Sequence, residues 1–478
     1  MDFRTSTIEQ LVLDVRARRV SARELTDAAL SNIERYNPTI NAFCAVAPDD
    51  ARAEADRIDQ SLSRGDAVGP LAGIPCGVKD LEDARGYVTT YGSALHVGDP
   101  AATEDSALVA RLRAAGAIII GKTNTPEFGF KGVTDNRPFG ATRNPWNLDY
   151  TSGGSSGGSS AALAAGMVPL ATGSDGGGSI RIPSALCGFT GIKPSQGRVP
   201  LGGPNPPGSG VLSVKGPMAL RCRDIALSLD ATIGDDPTDI FGLPNPQSSL
   251  RSALDRNNRP AKVIWSPTMG FANVDAEIME RCSQGIERLA GEGVEVIVND
   301  DIWQADPVFK WFQLWAAARA ESQGPLRGTA AWEQIDDELK VQIEYGLDNV
   351  SGVDYHDAIN ASHQLNWQLE QAFADAPLII TPATCGRPPK IGSSLGTVNG
   401  EELAGWVAFS YGINMTRNPA GVVNCGTVDG LPVALQIIGR QRQDASVLQA
   451  LCYVEDLLQR PHDAPHGVTS AGHPAAAT

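Results

Sequence analysis

Residues 150–183 read YTSGGSSGGSSAALAAGMVPLATGSDGGGSIRIP, and the rest of the chain is organised around them. Sixteen of these 34 residues are Gly or Ser, as in a linker, but the stretch also encloses the largely apolar run 161–171. Flexible linkers are depleted in such residues. We therefore predict two tight turns rich in glycine and serine, at 153–158 and 175–179, separated by a short helix over 160–166 and a strand over 167–171.

Each predicted turn combines glycines with a serine hydroxyl. Glycine lets the main chain take positive φ and lets other groups approach closely, so such a turn can present a row of N–H donors. A nucleophile beside the donors that stabilise its oxyanion needs this layout. Ser179 follows Gly176, Gly177 and Gly178, and its hydroxyl is expected where the amides of these four residues converge.

The turns belong to a longer pattern that resembles the amidase signature family, the Ser-cisSer-Lys amidohydrolases. The core of the resemblance is GGSSGGSSAALAAG at 153–166 followed by GSDGGGSIRIPSALCG at 173–188. Further matching segments are LAGIPCGVKD (71–80), GKTNTPEFGF (121–130), FGATRNPWN (139–147) and GLPVALQIIGR (430–440). The resemblance covers residues of roughly 5–200 and 375–455 well, and the middle of the chain poorly.

The resemblance implies a role for three side chains and one turn. Ser179 is the nucleophile, and the amides of 176–179 form the oxyanion hole. Ser155, which lies 24 positions before Ser179, is the bridging serine, and the Gly154–Ser155 peptide is cis. Lys79, in LAGIPCGVKD, is the base.

Lys79 can act as a base only when its amine is neutral. A lysine exposed to water has a pKa of about 10.4, and burial is the usual means of lowering it. A neutral Lys79 then draws a proton from Ser155, which draws one from Ser179, so that the relay uses no histidine. On this basis we expect activity to keep rising above neutral pH.

The resemblance also implies supporting residues around this trio. Asp175 is expected to fix the turn through backbone hydrogen bonds. Arg181 either pairs with Asp175, the role we favour, or helps to lower the pKa of Lys79 by its positive charge. Ser156 supports the same turn, and Thr125 lies near the site with Glu127. Gly176 stands where relatives often carry an apolar residue, which predicts a looser turn.

The remaining chain alternates helical and strand patterns, which predicts an α/β fold. Capping-box patterns at Ser6 with Glu9 and at Ser21 with Glu24 open two amphipathic helices, the second ending at Asn37-Pro38. The run 303–373 reads as helical and carries five of the eight tryptophans; tryptophans in such helices are more often core than pocket, but we expect the acyl or leaving-group pocket here. We predict one α/β/α domain over 1–460, with a mixed, twisted central sheet flanked by helices, and a disordered tail over 461–478.

Composition excludes several classes of protein. Hydrophobic residues make up 42% of the chain and no apolar run approaches membrane-spanning length, so no membrane association is expected. The amino terminus shows no secretory signal, which predicts a cytoplasmic location. Eight cysteines are scattered without a C-x-x-C pair, which favours reduced thiols over a zinc site. The net charge of −16 disfavours nucleic acid as a partner.

The function predicted is hydrolysis of a small-molecule carboxylic amide through a serine acyl-enzyme, with no cofactor and no metal. The same three residues leave open an esterase or a carbamate hydrolase, and an aryl acylamidase is one form of the amide activity. A glutamine-amidotransferase subunit that acts on charged tRNA is a further alternative. The resemblance implies a possible homodimer.

Overall fold

Fourteen α-helices lie in the part of the chain that the computed structural model describes, residues 1–203, 210–256 and 258–458. They are α1 (Ile8–Arg16), α2 (Ala22–Ile40), α3 (Pro48–Arg64), α4 (Ala107–Ala114), α5 (Gly157–Ala164), α6 (Arg181–Leu186), α7 (Cys222–Thr232), α8 (Leu250–Ala253), α9 (Ala276–Gly291), α10 (Val308–Gln323), α11 (Asp337–Asn349), α12 (Gly352–Ala372), α13 (Ala408–Thr416) and α14 (Asp444–Leu458). The predicted tail at 461–478 lies outside the described residues.

The same residues contain fifteen strands. They are β1 (Phe43–Val46), β2 (Pro75–Lys79), β3 (Ile118–Thr123), β4 (Arg143–Asn144), β5 (Asn147–Thr151), β6 (Leu170–Asp175), β7 (Gly191–Lys193), β8 (Val214–Met218), β9 (Lys262–Trp265), β10 (Glu295–Val298), β11 (Leu378–Pro382), β12 (Gly396–Val398), β13 (Glu401–Leu403), β14 (Ala420–Val428) and β15 (Leu431–Gly439). The two short pairs β4–β5 and β12–β13 stand apart from the main sheet.

The main strands form a curled mixed sheet in two halves. One half has the order β1-β3-β2-β6-β8 and the other β10-β9-β11-β15-β14-β7. In the first half β2 runs parallel to both β3 and β6, whereas the edge strands β1 and β8 are antiparallel to their neighbours. The predicted fold class, a mixed sheet flanked by helices, is confirmed.

The hydrogen-bonded ladder is interrupted where the two halves meet, between β8 and β7. Pro194 directly follows β7, and its ring lies against Gly216 of β8. Pro217 belongs to β8 itself. Proline has no amide hydrogen to donate to a ladder. Side-chain packing therefore replaces main-chain hydrogen bonds at this junction.

Two details at the amino terminus differ from the sequence prediction. Thr7, and not Ser6, caps α1, accepting a hydrogen bond from the amide of Gln10. The helix α2 passes through Pro38 and ends at Ile40, because Pro38 stands in the last turn, where few hydrogen bonds depend on it. The capping box at Ser21 is confirmed.

The strand β2 and the helix α5 bring the glycine- and serine-rich stretch into the core. Every residue of β2 is buried, and so is every residue of α5. One buried apolar cluster extends from α1 to α14 around them. In the described ranges, no helix combines the length and the apolar character needed to span a bilayer.

Candidate active site

The two predicted turns lie side by side at the ends of β5 and β6. The first connects β5 to α5 and begins at Gly153, whose φ of +84° is in the left-handed region. Its Gly154–Ser155 peptide is cis, as the resemblance implies. The second turn connects β6 to α6, and the amide of Ser156 donates to the carbonyl of Ser179, 3.2 Å away, which ties the two turns together.

Lys79 ends β2 and its side chain is completely buried. Its Nζ lies 2.8 Å from Ser155 Oγ, 2.8 Å from Ser156 Oγ and 2.9 Å from Ser174 Oγ. A neutral amine has two hydrogens and one lone pair, so these three hydroxyls can satisfy it completely if one of them donates. The site therefore accommodates Lys79 without its charge.

Burial lowers the pKa of Lys79 to about 7. The charges of Glu82 and Asp175 act in the opposite direction but do not outweigh the loss of hydration. No carboxylate forms an ion pair with Lys79 in the described residues. Near neutral pH the amine is therefore available as a proton acceptor.

Asp175 and Arg181 form a fully buried ion pair beneath the second turn. Arg181 Nη2 lies 2.9 Å from Asp175 Oδ1, and its Nε lies 3.0 Å from Oδ2. Burial by itself raises the pKa of Asp175, but the charge and hydrogen bonds of Arg181 outweigh it and hold that pKa well below its usual range. Asp175 also accepts from the amides of Gly178 and Ile180. The pair thus holds the turn, in the way expected from the sequence.

The hydrogen bond from Gly178 narrows the set of amides that can face a substrate. Its N–H lies 2.8 Å from Asp175 Oδ1 and is therefore already used. Within the described residues, the amides of Gly176, Gly177 and Ser179 donate to no protein acceptor. Of the four predicted oxyanion donors, three remain free for this role.

Ser179 and Ser155 both line a cavity of about 670 Å³. Ser155 is buried, whereas Ser179 is partly exposed to the cavity. No hydrogen bond joins their hydroxyls within the described part of the chain. The hydrogen bond from Lys79 to Ser155 is therefore formed in this structure, whereas the one from Ser155 to Ser179 is not formed.

Thr125 and Glu127 are buried but make no hydrogen bond to the trio. The Thr125 hydroxyl has no partner in the described residues. The Glu127 carboxylate accepts from Ser93 Oγ and from the amide of Asp336, both at 2.6 Å. Glu127 therefore connects two surrounding loops, and neither residue reaches the reacting groups directly.

Two partners of Lys79 were missed by sequence reasoning. Thr172 Oγ1 accepts from the Lys79 amide at 2.8 Å, and Ser174 Oγ contacts its Nζ. They stand two residues apart on β6, so their side chains lie on the same face of the strand. The period of the strand could have identified both, had the strand been predicted to extend as far as Asp175.

Three aromatic side chains contribute to the cavity wall. Tyr91, Phe128 and Trp315 line it together with Leu81 and five acidic residues. Trp315 lies on α10, in the part of the chain where the resemblance is poor. The expectation that this region contributes the pocket agrees with its position.

The site combines a buried amine, hydrogen-bonded to serine hydroxyls, with a turn whose amides are free. These are the groups that acyl transfer through serine requires. The amidase family model matches residues 24–448 of the chain. An acylamidase of Rhodococcus erythropolis is 33% identical over 464 residues, covering 93% of this chain and 94% of that protein. A glutamyl-tRNA(Gln) amidotransferase subunit of Chloroflexus aggregans is 33% identical over 474 residues, covering 94% of each chain.

A solved structure of a bacterial aryl acylamidase of the amidase signature family has the same fold, with a TM-score of 0.89. It is 29% identical to this protein, and the match covers 98% of this chain and 99% of that one. The chain therefore belongs to the amidase family and is an amidase signature amidohydrolase, a hydrolase acting on carbon–nitrogen bonds.

Proposed function

We propose that the protein hydrolyses small-molecule amides through an acyl-enzyme on Ser179, with Ser155 as the bridge and Lys79 as the base. The observation that carries the proposal is the environment of Lys79. Its amine is fully buried, has a pKa lowered to about 7 and lies 2.8 Å from Ser155 Oγ. A proton acceptor near neutral pH is thus in contact with the hydroxyl that would pass the proton on.

In the proposed reaction, Ser179 Oγ attacks the amide carbonyl carbon while its proton passes to Ser155 and the proton of Ser155 passes to Lys79. The free amides of the second turn stabilise the oxyanion of the tetrahedral intermediate. As the C–N bond breaks, the proton returns from Lys79 through Ser155 to the leaving nitrogen, and the amine departs. Water then attacks the ester on Ser179 by the same proton path, releasing the carboxylic acid.

The cavity favours aromatic substrates. Aromatic rings pack well against one another in stacked or edge-on arrangements, and Tyr91, Phe128 and Trp315 offer such surfaces in the cavity that the two serines line. The name of one relative of known structure, an aryl acylamidase, agrees with this preference. We therefore propose an aryl amide, such as an anilide, as the substrate class.

A second candidate is the glutaminase reaction of an amidotransferase subunit. It is favoured by the identity of 33% to a glutamyl-tRNA(Gln) amidotransferase subunit. The net charge of −16 argues against a surface for tRNA on this chain by itself. The candidates, including the esterase and carbamate alternatives, are separated by measuring turnover with the purified protein. The substrates are a matched anilide, ester and carbamate, and free glutamine.

Labelling of the nucleophile tests the mechanism. A fluorophosphonate should modify Ser179, and Ser179→Ala should fold normally and lose nearly all turnover, because no neighbouring group replaces the attacking hydroxyl. Peptide mass spectrometry and steady-state kinetics measure the two effects, and Ser184→Ala, on the following helix, serves as the control. Modification of a different serine, or an active Ser179→Ala variant, would contradict the assignment.

A further inference from the structure

Two tryptophans of α10 cover the second turn. Trp311 and Trp315 are one helical turn apart, and their rings stack with centroids 5.3 Å apart and planes at 18°. The Nε1–H of Trp311 donates to the carbonyl oxygen of Gly176 at 2.9 Å. These residues are more than a hundred positions away from the turn in sequence and were not predicted to touch it.

The two rings occupy the space that side chains on the turn would need. A Cβ at Gly176 would lie 2.8 Å from Cζ3 of Trp315, and one at Gly177 would lie 2.6 Å from Cζ2 of Trp311. The turn was expected to be loose because it has glycine at position 176. In this protein the indole of Trp315 fills that position from outside, so the absence of a side chain is compensated by α10.

The hydrogen bond of Trp311 also sets the direction of an amide. In a planar trans peptide the C=O and N–H vectors point to opposite sides. With the Gly176 carbonyl held toward Trp311, the N–H of Gly177 points away from α10. Ser410 Oγ restrains the next peptide in the same way, donating to the Gly177 carbonyl at 2.5 Å.

We propose that Trp311 is a positioning residue that orients the Gly176–Gly177 peptide so that the Gly177 amide serves as an oxyanion donor. The inference rests on the proposed function of Ser179. Trp311 acts through the turn and touches no reacting atom. Its contribution is to hold one donor in the direction in which negative charge develops, which costs no reorganisation during the reaction.

The substitution Trp311→Phe tests this proposal because it keeps an aromatic ring on Trp315 and removes the N–H donor. For an anilide substrate, kcat should fall by about 10- to 100-fold with KM nearly unchanged, since a misplaced oxyanion donor weakens only the transition state. The affinity for a trifluoromethyl ketone, which forms a tetrahedral oxyanion on serine, should fall in parallel. The affinity for the corresponding unreactive alcohol should not change.

Two further variants control for packing. Trp303→Phe removes an equivalent indole hydrogen bond, to the Leu365 carbonyl at 3.2 Å, and should leave kcat nearly unaltered. Trp311→His provides a ring N–H at Nε2, about as far from Cβ as the indole nitrogen. It should therefore have a higher kcat than Trp311→Phe. The kinetic constants are compared only for variants that show a cooperative thermal unfolding transition, which establishes that they are folded.

An unchanged kcat in Trp311→Phe would overturn the proposal, and so would equally low values in the Phe and His variants, which would assign the loss to ring packing. Failure of the proposed function is distinguishable, because Ser179→Ala would then retain turnover whatever Trp311 does.

Discussion

Burial makes Lys79 a base, whereas a lysine exposed to water is a cation at neutral pH. The side chain has no exposed area, and its three nearest partners are hydroxyls and not carboxylates. An ion pair would keep the amine protonated, whereas neutral hydroxyls accept either protonation state. The chemistry proposed for this site therefore depends as much on the absence of a carboxylate beside Nζ in the described residues as on the lysine itself.

The pH dependence follows from this environment. With its pKa lowered to about 7, Lys79 is protonated and inactive as a base below that pH, so kcat/KM for an amide should rise through about pH 7 and then level off. This revises the rise above neutral pH expected from the sequence. The apparent pKa also approaches the histidine value of about 6.5, so the profile alone does not distinguish the two bases.

The variant Lys79→Ala makes that distinction. It should lower kcat/KM for an amide by several orders of magnitude, because both attack and protonation of the leaving nitrogen use the relay. A matched ester with a good leaving group needs the second proton less and should lose less. Parallel measurements on the amide and the ester test this difference. Amide turnover at the level of the unmodified protein would reject Lys79 and direct attention to His96, His356 and His363.

The helix α5 directly follows the first turn and lies in the core of the protein. It consists of small residues apart from Leu163 and is buried along its length, so its neighbours can contact its main chain directly. At Gly158 a Cβ would lie 2.3 Å from the amide nitrogen of Asn124 and 2.6 Å from the carbonyl oxygen of Ala42. The second glycine pair of GGSSGG is therefore required by helix packing, separately from any catalytic need.

Gly158→Ala should destabilise the protein although alanine favours a helix. A Cβ at 2.3 Å from main-chain atoms cannot be accommodated by moving a side chain, and overpacking of this kind costs about 1–3 kcal/mol. The matched control is Gly291→Ala at the end of α9, where a Cβ meets no atom within 4 Å and helix propensity predicts a gain of up to about 1 kcal/mol. Denaturant unfolding measures both; equal stability of the two variants would contradict the packing role.

The two halves of the sheet meet at a cluster of buried charges. Lys193 ends β7 at this junction, is fully buried and donates to the Pro194 carbonyl at 3.0 Å. Burial, assisted by the charge of Arg181, lowers its pKa to about 7, while Asp175 and Asp444 act in the opposite direction. The stability of the whole molecule is therefore linked to pH through a lysine outside the proposed reaction.

The sign of this linkage can be tested with Lys193→Met. The folded-state pKa lies below the unfolded value of about 10.4, so between about pH 7 and 10.4 the unfolded state binds the extra proton and this group favours folding increasingly as pH rises. Methionine removes the titration. The quantity to follow is the free energy of unfolding of the variant minus that of the unmodified protein. This difference should be largest near pH 7 and should decrease by on the order of 4 kcal/mol toward pH 10.4. A difference in unfolding free energy independent of pH would contradict the prediction.

Local sequence determined the parts of this protein that depend on near neighbours along the chain. Glycine spacing predicted the two turns, Ser21 predicted the cap of α2, and the serine and lysine motifs placed Lys79 and Ser155 in contact. Short-range backbone freedom and a resemblance in motif are sufficient for these features. The position of the turns and motifs relative to each other was implied by the family resemblance of the whole pattern.

Only the tertiary structure decided which distant groups complete the site. The contact of Trp311 with Gly176 and the hydrogen bond from Ser410 to the Gly177 carbonyl are not encoded in any local pattern. Each depends on how a buried helix or strand packs against a segment far away in the chain. The sequence of α10 does not mark one face as clearly apolar, and the fold alone determines that the face with Trp311 and Trp315 covers the turn.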